Sequence, residues 1–393
     1  MLESFEFKDE SSGWTLPPVH FTQVNLLVGV SGVGKSRILS ALTASAMAGS
    51  TSWTRLAHGS WKLTVVAGGQ RHIWSVSVEP SEERYTGPHE NGDEEGVIYI
   101  GSGREPIRPR FVTETISLED GEVIAERSKA GITFLGNAAP RLKESESLLS
   151  LFRKEESIAP LFQELSRVFP STVEDFEIPF WTRERTAKFA KDIDSLTKLR
   201  QAVRVPLLVR LYLLQTLAKD EFNAIVSSFR DIFESVIDVR LDFPSQLGLN
   251  LDDFESEALT LVVGEEGVRS PVPLGMLSSG MRRTLRHLAE LALAPEGSTI
   301  LIDEYENSMA VNCLPSVTKH LLNHTREIQI IVISHHPYVI NNIALEHWRL
   351  VTRSGSTVRV VDAKDLPELR SASRQDAFIR LLNSASYRDG VAP

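Results

Sequence analysis

Apolar and polar positions change rhythm several times along the chain, and each change predicts a different element. Phe5 and Phe7 alternate with Glu6 and Lys8, the period-two pattern of a strand with one buried face. Residues 23–28 form a nearly continuous apolar run ending at Gly29, which suits a buried parallel strand. Residues 36–48, rich in Ala, Leu and Ile, read as a helix. Residues 61–67 and 72–78 read as two strands separated by Gly68-Gly69, a hairpin signal. Residues 81–96 are polar, acidic and glycine-containing and predict a surface loop, and 97–100 return to a buried-strand pattern. Glu119-Asp120-Gly121-Glu122 reads as a hairpin tip between 115–118 and 123–125.

Helical spacing dominates from about 141 to 237. Leu148, Leu149 and Phe152 stand among charges, and Leu207, Leu208, Leu211, Leu214 and Leu217 recur along one helix; these stripes are packing faces. Strand character returns at 239–243 and 259–263, then at 299–302, 328–333 and 357–361, before a helix over 373–382. No stretch repeats at a fixed period, so a solenoid is not expected.

The chemistry begins where the 23–28 strand ends. Gly29-Val30-Ser31-Gly32-Val33-Gly34-Lys35-Ser36 fits GxxxxGK[ST] at every fixed position, with a strand before it and a helix after it. Glycines let the backbone curl until several N–H groups face one anion, and the helix N-terminus adds partial positive charge. Lys35 has the reach for β- and γ-phosphates, and the Ser36 hydroxyl suits Mg²⁺.

Three further segments complete the pattern. Residues 299–304 are an apolar strand ending in Asp303 and Glu304, where Asp303 is placed to hold Mg²⁺ and Glu304 to activate water. Residues 328–333 lead into Ser334-His335-His336-Pro337, and strand-end placement favours His335 over His336 as the group that meets a γ-phosphate. Leu277-Ser278-Ser279-Gly280-Met281 precedes a helix marked by Leu285, Leu288, Leu291 and Leu293, a second anion-binding helix end.

Taken in order, these residues resemble the ABC-type ATPase superfamily, in its soluble SMC, RecF and OLD-like head-domain branch. Residues 277–281 are similar to the signature sequence, 299–304 to the Walker B strand and His335 to the switch histidine; residues 303–307 resemble the DEPEN run of RecF and OLD proteins. The resemblance implies an α/β P-loop NTPase of ABC-type head form with a mixed or parallel sheet, a β-rich N-terminal lobe and an inserted helical arm. It implies ATP and Mg²⁺ as ligands, and two heads sandwiching two ATPs with each signature acting in trans. The implied nucleotide set is Gly29, Ser31, Gly32, Val33, Gly34, Lys35, Ser36 and Arg37 with Ser278, Ser279 and Gly280; Ser36 and Asp303 hold the metal; Glu304, His335 and Lys35 are catalytic. The sequence departs from the pattern at Met281, where the signature normally ends in Gln or Glu. A Q-loop glutamine is not assigned; Gln23 and Gln70 are candidates by type only.

The expected division is 1–103 as the first ATPase lobe, 104–237 as a mainly helical arm, 238–363 as the second lobe and 364–393 as a helical tail. The arm is too short for an SMC coiled coil and lacks sustained heptads. An OLD protein would add a Toprim nuclease after the second lobe; no acidic metal cluster stands out in the tail, so a nuclease or toxin activity is expected from a separate effector chain. Compact ATPases of this kind resemble those of bacterial anti-phage modules such as Septu. The alternatives are a RecF-like DNA-repair ATPase, with Arg104, Arg108 and Arg110 or Arg183, Arg185 and Lys188 as a basic patch, and an ATP-binding scaffold with little turnover.

Composition narrows the setting. With 52 acidic against 42 basic side chains, the net charge of −10 argues against indiscriminate coating of nucleic acid and favours protein partners; the resemblance implies a homodimer or higher even oligomer. The one cysteine, Cys313, forms no internal disulfide and no CxxC zinc pair. The N-terminal segment has no basic and apolar regions of a signal peptide, and 205–217 is too short and too charged to span a bilayer; a cytoplasmic protein is expected.

Overall fold

The computed structural model describes residues 1–50, 58–84, 107–140, 143–171, 181–203, 205–247, 258–309, 313–323, 326–369, 374–388 and 390–392. In chain order the first half gives β1 (Leu2–Asp9), β2 (Trp14–His20), β3 (Val24–Val28), α1 (Lys35–Ala48), β4 (Gly59–Ala67), β5 (Gln70–Arg84), β6 (Ile107–Leu118), β7 (Val123–Ser128), β8 (Gly131–Phe134), β9 (Asn137–Ala138), α2 (Leu148–Leu151), α3 (Ala159–Leu165) and β10 (Val168–Pro170). Then come α4 (Arg183–Ala190), α5 (Leu196–Gln201), α6 (Leu207–Leu217), α7 (Lys219–Ile232), β11 (Val236–Asp242), β12 (Thr260–Glu265), β13 (Val272–Pro273), α8 (Ser279–Leu293), β14 (Thr299–Ile302) and α9 (Leu314–Leu322). The chain finishes with β15 (Gln329–Ile333), α10 (Pro337–Asn342), β16 (Trp348–Ser354), β17 (Thr357–Asp362), α11 (Arg374–Asn383), α12 (Ala385–Arg388) and β18 (Val391–Ala392).

The chain divides into two compact units. The first comprises Met1–Pro170, Gly297–Tyr305 and Glu327–Pro393; the second comprises Ser171–Glu296 and Glu306–Arg326. The segment expected as one arm, 104–237, is therefore shared between them.

A single large sheet organises the first unit, in the order β10-β14-β15-β3-β16-β17-β2-β1-β4-β5-β6-β7-β8-β9, with β18 paired to β16. Toward the β10 end of that order, β14, β15, β3 and β16 run parallel. Every residue of β14 and β15 is buried, which is why these segments read as unbroken apolar runs rather than alternating ones. The β4 strand instead alternates buried and open positions, as an antiparallel strand with one covered face does. Packed on the sheet, Ile38, Leu39, Leu42 and Ala46 of α1 join Phe5, Phe7, Trp61 and Trp74 in one core.

Gln329 opens the otherwise apolar β15 and ties the middle of this sheet together. Its Nε2 donates to the carbonyls of Leu2 (2.7 Å) and Thr22 (2.9 Å), and its Oε1 accepts from Leu2 N–H (3.1 Å) and the Thr299 hydroxyl (2.9 Å). A buried amide with all these partners carries no desolvation penalty that would argue against its place in a core.

Several expectations are revised. Residues 81–84 extend β5 rather than opening a loop, and the rest of that loop and the 97–100 strand lie outside the described residues. The stretch 107–138 holds four strands where the sequence displays only one hairpin tip. Within the helical stretch, 168–170 forms a short strand parallel to β14.

The second unit packs α6, α7 and α8 with the three-stranded sheet β11-β12-β13. Leu207, Leu208, Leu211 and Leu214 are buried there with Phe222, Ile225 and Phe229, so these leucines are core, whereas Leu217 at the helix end is exposed rather than packed. On α8 a buried charge network stands beside the apolar packing of Leu285, Leu288 and Leu293. Arg286 donates through Nη2 to Glu290 (2.6 Å) and to Ser171 Oγ (3.2 Å), whose hydroxyl in turn donates to Glu290 (2.6 Å). Among the described residues no helix is long and apolar enough to cross a membrane.

Candidate nucleotide site

The loop between β3 and α1 is shaped by close backbone approach. A Cβ on Gly29 would lie 2.4 Å from the Val351 carbonyl oxygen of neighbouring β16, so only glycine lets the loop leave the sheet there. Gly34 is the N-cap of α1 in the left-handed region (φ 102), with no side-chain cap. The first amides of α1 consequently have no capping oxygen of their own, the arrangement that receives an anion. Ser31, Gly32 and Ser36 are exposed, and the Val33 side chain is buried.

Lys35 is 5% exposed, and its ammonium donates to the carbonyls of Gly29 (2.9 Å) and Val30 (3.0 Å). Burial pushes its pKa down, and the negative charge of Asp303 pulls it back up. That coupling places Asp303, just beyond β14, in electrostatic reach of the P-loop lysine.

The chain turns sharply after β14. Glu304 adopts φ 45, a left-handed conformation rare for a residue with a side chain, and its N–H donates to Asp303 Oδ1 (2.9 Å). Tyr305, fully buried, donates its N–H to the Ile333 carbonyl (3.0 Å) at the end of β15, pinning the turn to the next strand. Strain of this sort, on the order of 1–3 kcal/mol, persists where surrounding structure fixes it and clusters at functional sites.

The two histidines after β15 are separated by geometry. His336 N-caps α10, its Nδ1 accepting from Tyr338 N–H (3.2 Å). His335 instead lines a cavity of about 230 Å³ with Gly29, Ser334, Phe378 and Tyr387. Arg37 turns to the β1–β2 end of the sheet: it pairs with Asp9 (2.7 Å), contacts Ser12 and covers the Trp14 ring at 4.6 Å.

Lys35, Asp303, Glu304 and His335 belong to the first unit, whereas Ser278, Ser279 and Gly280 belong to the second. Ser278 is the N-cap of α8, its hydroxyl accepting from Met281 N–H (3.2 Å). The Met281 side chain is 9% exposed and packs in the second unit's core, so the departure at the signature's last position is a core residue making hydrophobic contacts. Gln70 opens β5 and Gln23 immediately precedes β3. Sequence reasoning missed Arg353, whose Nη1 donates to the Gly32 carbonyl (3.2 Å), and the Gln329 latch. The polar head of an apolar strand hints at the latter; nothing local marks the former.

The residues suit magnesium nucleotide. Ser36 offers a hydroxyl and Asp303 a carboxylate, the hard oxygen donors that Mg²⁺ takes, beside a buried cation for phosphate.

Among solved structures the chain is similar to an SMC head bound to the C-winged helix domain of ScpA, at 15% identity and TM-score 0.46, over 92% of this chain and 96% of that one. It is similar also to the SMC head domain from Thermotoga maritima, at 13% identity and TM-score 0.41, over 92% and 98% of the two chains. A third is the Smc head domain with an extended coiled coil bound to the C-terminal domain of ScpA derived from Pyrococcus furiosus, at 14% identity and TM-score 0.40, over 97% and 98%. No curated protein matches the chain. Residues 24–341 match the AAA_21 family, described as "AAA domain, putative AbiEii toxin, Type IV TA system". That span runs from the first residue of β3 into α10 and takes in every motif above, and the chain accordingly belongs to the AAA_21 family of P-loop ATPases, with the sheet and motif order of an ABC-type head.

Proposed function

We propose that this protein binds and hydrolyses ATP, pairs head to head around the nucleotide, and uses that cycle to control a separate effector protein. The observation that carries the reading is the meeting, in one unit, of buried Lys35 with Asp303 beside the strained Glu304 turn. Lys35 exchanges its bonds to the Gly29 and Val30 carbonyls for phosphate oxygens, a charge-assisted replacement. When bound, Mg²⁺ neutralises triphosphate charge, and Ser36 and Asp303 are the residues that would hold it. The Glu304 carboxylate takes a proton from the water whose oxygen attacks the γ-phosphorus, as the bond to the β–γ bridging oxygen breaks and ADP leaves. His335 donates a hydrogen bond to the γ-phosphoryl group.

In the paired state Ser278, Ser279 and Gly280 of one head close over the triphosphate held by the other, so ATP joins the heads and its hydrolysis releases them. The family's description names a "putative AbiEii toxin" of a type IV toxin–antitoxin system; in this reading the effector is a separate nuclease or toxin chain acting in anti-phage defence. Cys313, buried and in no disulfide, suits a reducing cytoplasm. The basic positions of the DNA-repair alternative are engaged within the protein in part, and Arg183, Arg185 and Lys188 of α4 remain exposed. Arg110 pairs with Glu79 and Glu144, and Arg183 and Arg185 cover the rings of Phe243 and Trp181; Arg104 lies outside the described residues, as does the Arg108 side chain. Purified protein is expected to release phosphate from Mg-ATP, with turnover lost in Glu304→Gln while ATP binding remains. Equal turnover in the two proteins would overturn the assignment of Glu304.

A further inference from the structure

The C-terminal tail reaches the nucleotide loop through one arginine. Arg353 lies near the end of β16 and is half-buried. Its backbone N–H donates to the Gly390 carbonyl (2.6 Å), and β18 pairs with β16 in the register Arg353 to Val391 and Ser354 to Ala392. Its guanidinium turns the other way and donates through Nη1 to the Gly32 carbonyl (3.2 Å) in the middle of the P-loop. The residue thus has the tail on its main chain and the phosphate loop on its side chain.

The direction of that second bond matters. A trans peptide is planar, with its C=O and the following N–H on opposite sides. Holding the Gly32 carbonyl against Arg353 therefore turns the Val33 N–H the opposite way. A Cβ at Gly32 would meet no heavy atom within 4 Å, while the Val33 side chain on the other side of this peptide is buried in the core; the Arg353 bond adds a polar hold on the exposed carbonyl. The tail also touches the far side of the site. Phe378 and Leu382 of α11 and Tyr387 of α12 line the cavity shared by Gly29 and His335.

We propose that Arg353 is a positioning residue for ATP: it orients the Gly32–Val33 peptide so that the Val33 N–H serves the phosphate cradle, and the C-terminal strand holds Arg353 in place to do so. The tail is then a control point, since a partner that peels β18 from β16 weakens nucleotide binding without touching nucleotide. This rests on the ATP-binding reading above.

The test uses full-length protein and its Arg353→Ala, Arg353→Lys and Lys35→Ala variants, with a chain ending at Arg388. Isothermal titration gives Kd for Mg-ATP, and steady-state turnover gives kcat and KM. Arg353→Ala is expected to raise Kd and KM about tenfold, the loss of one charge-assisted bond, with kcat within about twofold. Arg353→Lys keeps a cationic donor and should recover affinity to within about threefold of wild type. The shortened chain should weaken binding in the same direction, and adding Arg353→Ala to it should change little further, because both act through one contact. Wild-type affinity in a folded Arg353→Ala protein overturns the proposal, as does a lysine variant as weak as the alanine one. Unchanged affinity in the shortened chain overturns the role of the tail. If Arg353→Ala does not fold by circular dichroism, the lysine variant and the shortened chain decide the matter by these same outcomes. ATP binding by wild type and not by Lys35→Ala, with no effect at Arg353, removes this inference alone; wild type that binds no ATP removes both.

Discussion

The helices that follow the two glycine-bearing motifs begin in opposite ways. At α1 the N-cap is Gly34, left-handed and without a capping side chain, and the loop before it is held from outside by the strands it packs against. At α8 the N-cap is Ser278, which satisfies the helix's own Met281 N–H, while Arg286 and Glu290 lock the helix within its unit. One helix end is open to an anion by construction; the other is closed on itself and offers its donors only by rearranging or by adding to bonds already made. The difference supports the proposed cycle, in which the P-loop end takes nucleotide first and the signature end acts later, on a triphosphate already held.

The largest expected effect comes from removing the buried cation at the open end. Lys35→Ala should weaken ATP binding by about a hundredfold or more, on the order of 3 kcal/mol, measured by titration calorimetry. Retained affinity would break the comparison at once.

The closed end should depend on its buried charges, and pH reads them. Burial raises the Glu290 pKa, but Arg286, His287 and Ser171 outweigh it and hold the carboxyl at about 2, below its ordinary 4.5. Glu290 therefore stabilises the fold fully above the ordinary value and loses that contribution as pH falls toward 2. Burial also lowers the His287 pKa below 6.5 despite neighbouring Glu290, so protonation is resisted in the folded state and stability begins to fall below pH 6.5. Urea unfolding followed from pH 8 to 4 should show a declining midpoint below 6.5 that steepens in the acid range. Glu290→Gln should cost about 3 kcal/mol at neutral pH by stranding buried Arg286, and should flatten the acid limb.

Much of the open end is legible in sequence because its residue types answer to local backbone demands. Gly29 and Gly34 are required by a close carbonyl and by a positive φ, and the apolar runs of β14 and β15 follow from burial on both faces. Over 107–138 only the hairpin tip between β6 and β7 is legible; the start of β6 and the strands β8 and β9 are not, since sections such as Thr113-Glu114-Thr115 carry polar residues into the sheet. Glu114 is wholly buried there against Trp74 and the Leu148 N–H. The link from Arg353 to Gly32 joins residues 321 positions apart, and only the pairing of β16 with β3 brings them together. At Met281 the sequence reveals a departure, while its cause, a core position, is visible only in the packed second unit.

The smallest of these effects lies at the signature cap. Ser278→Ala should destabilise the protein by about 1 kcal/mol through the lost cap, seen as a lowered unfolding midpoint. Its affinity for ATP should stay close to wild type, while turnover falls at least tenfold if the residue acts across the head-to-head pair. An equal loss of ATP affinity would place Ser278 in first binding and erase the distinction between the two helix ends.

The central claim is that ATP joins two heads until Glu304 promotes its hydrolysis. Sedimentation velocity of the Glu304→Gln protein, with and without Mg-ATP, tests it most directly. The account predicts a monomer without nucleotide and a stable dimer with Mg-ATP, lost again when Lys35→Ala is combined with it; a Glu304→Gln protein that binds ATP yet sediments identically with and without it would contradict the account.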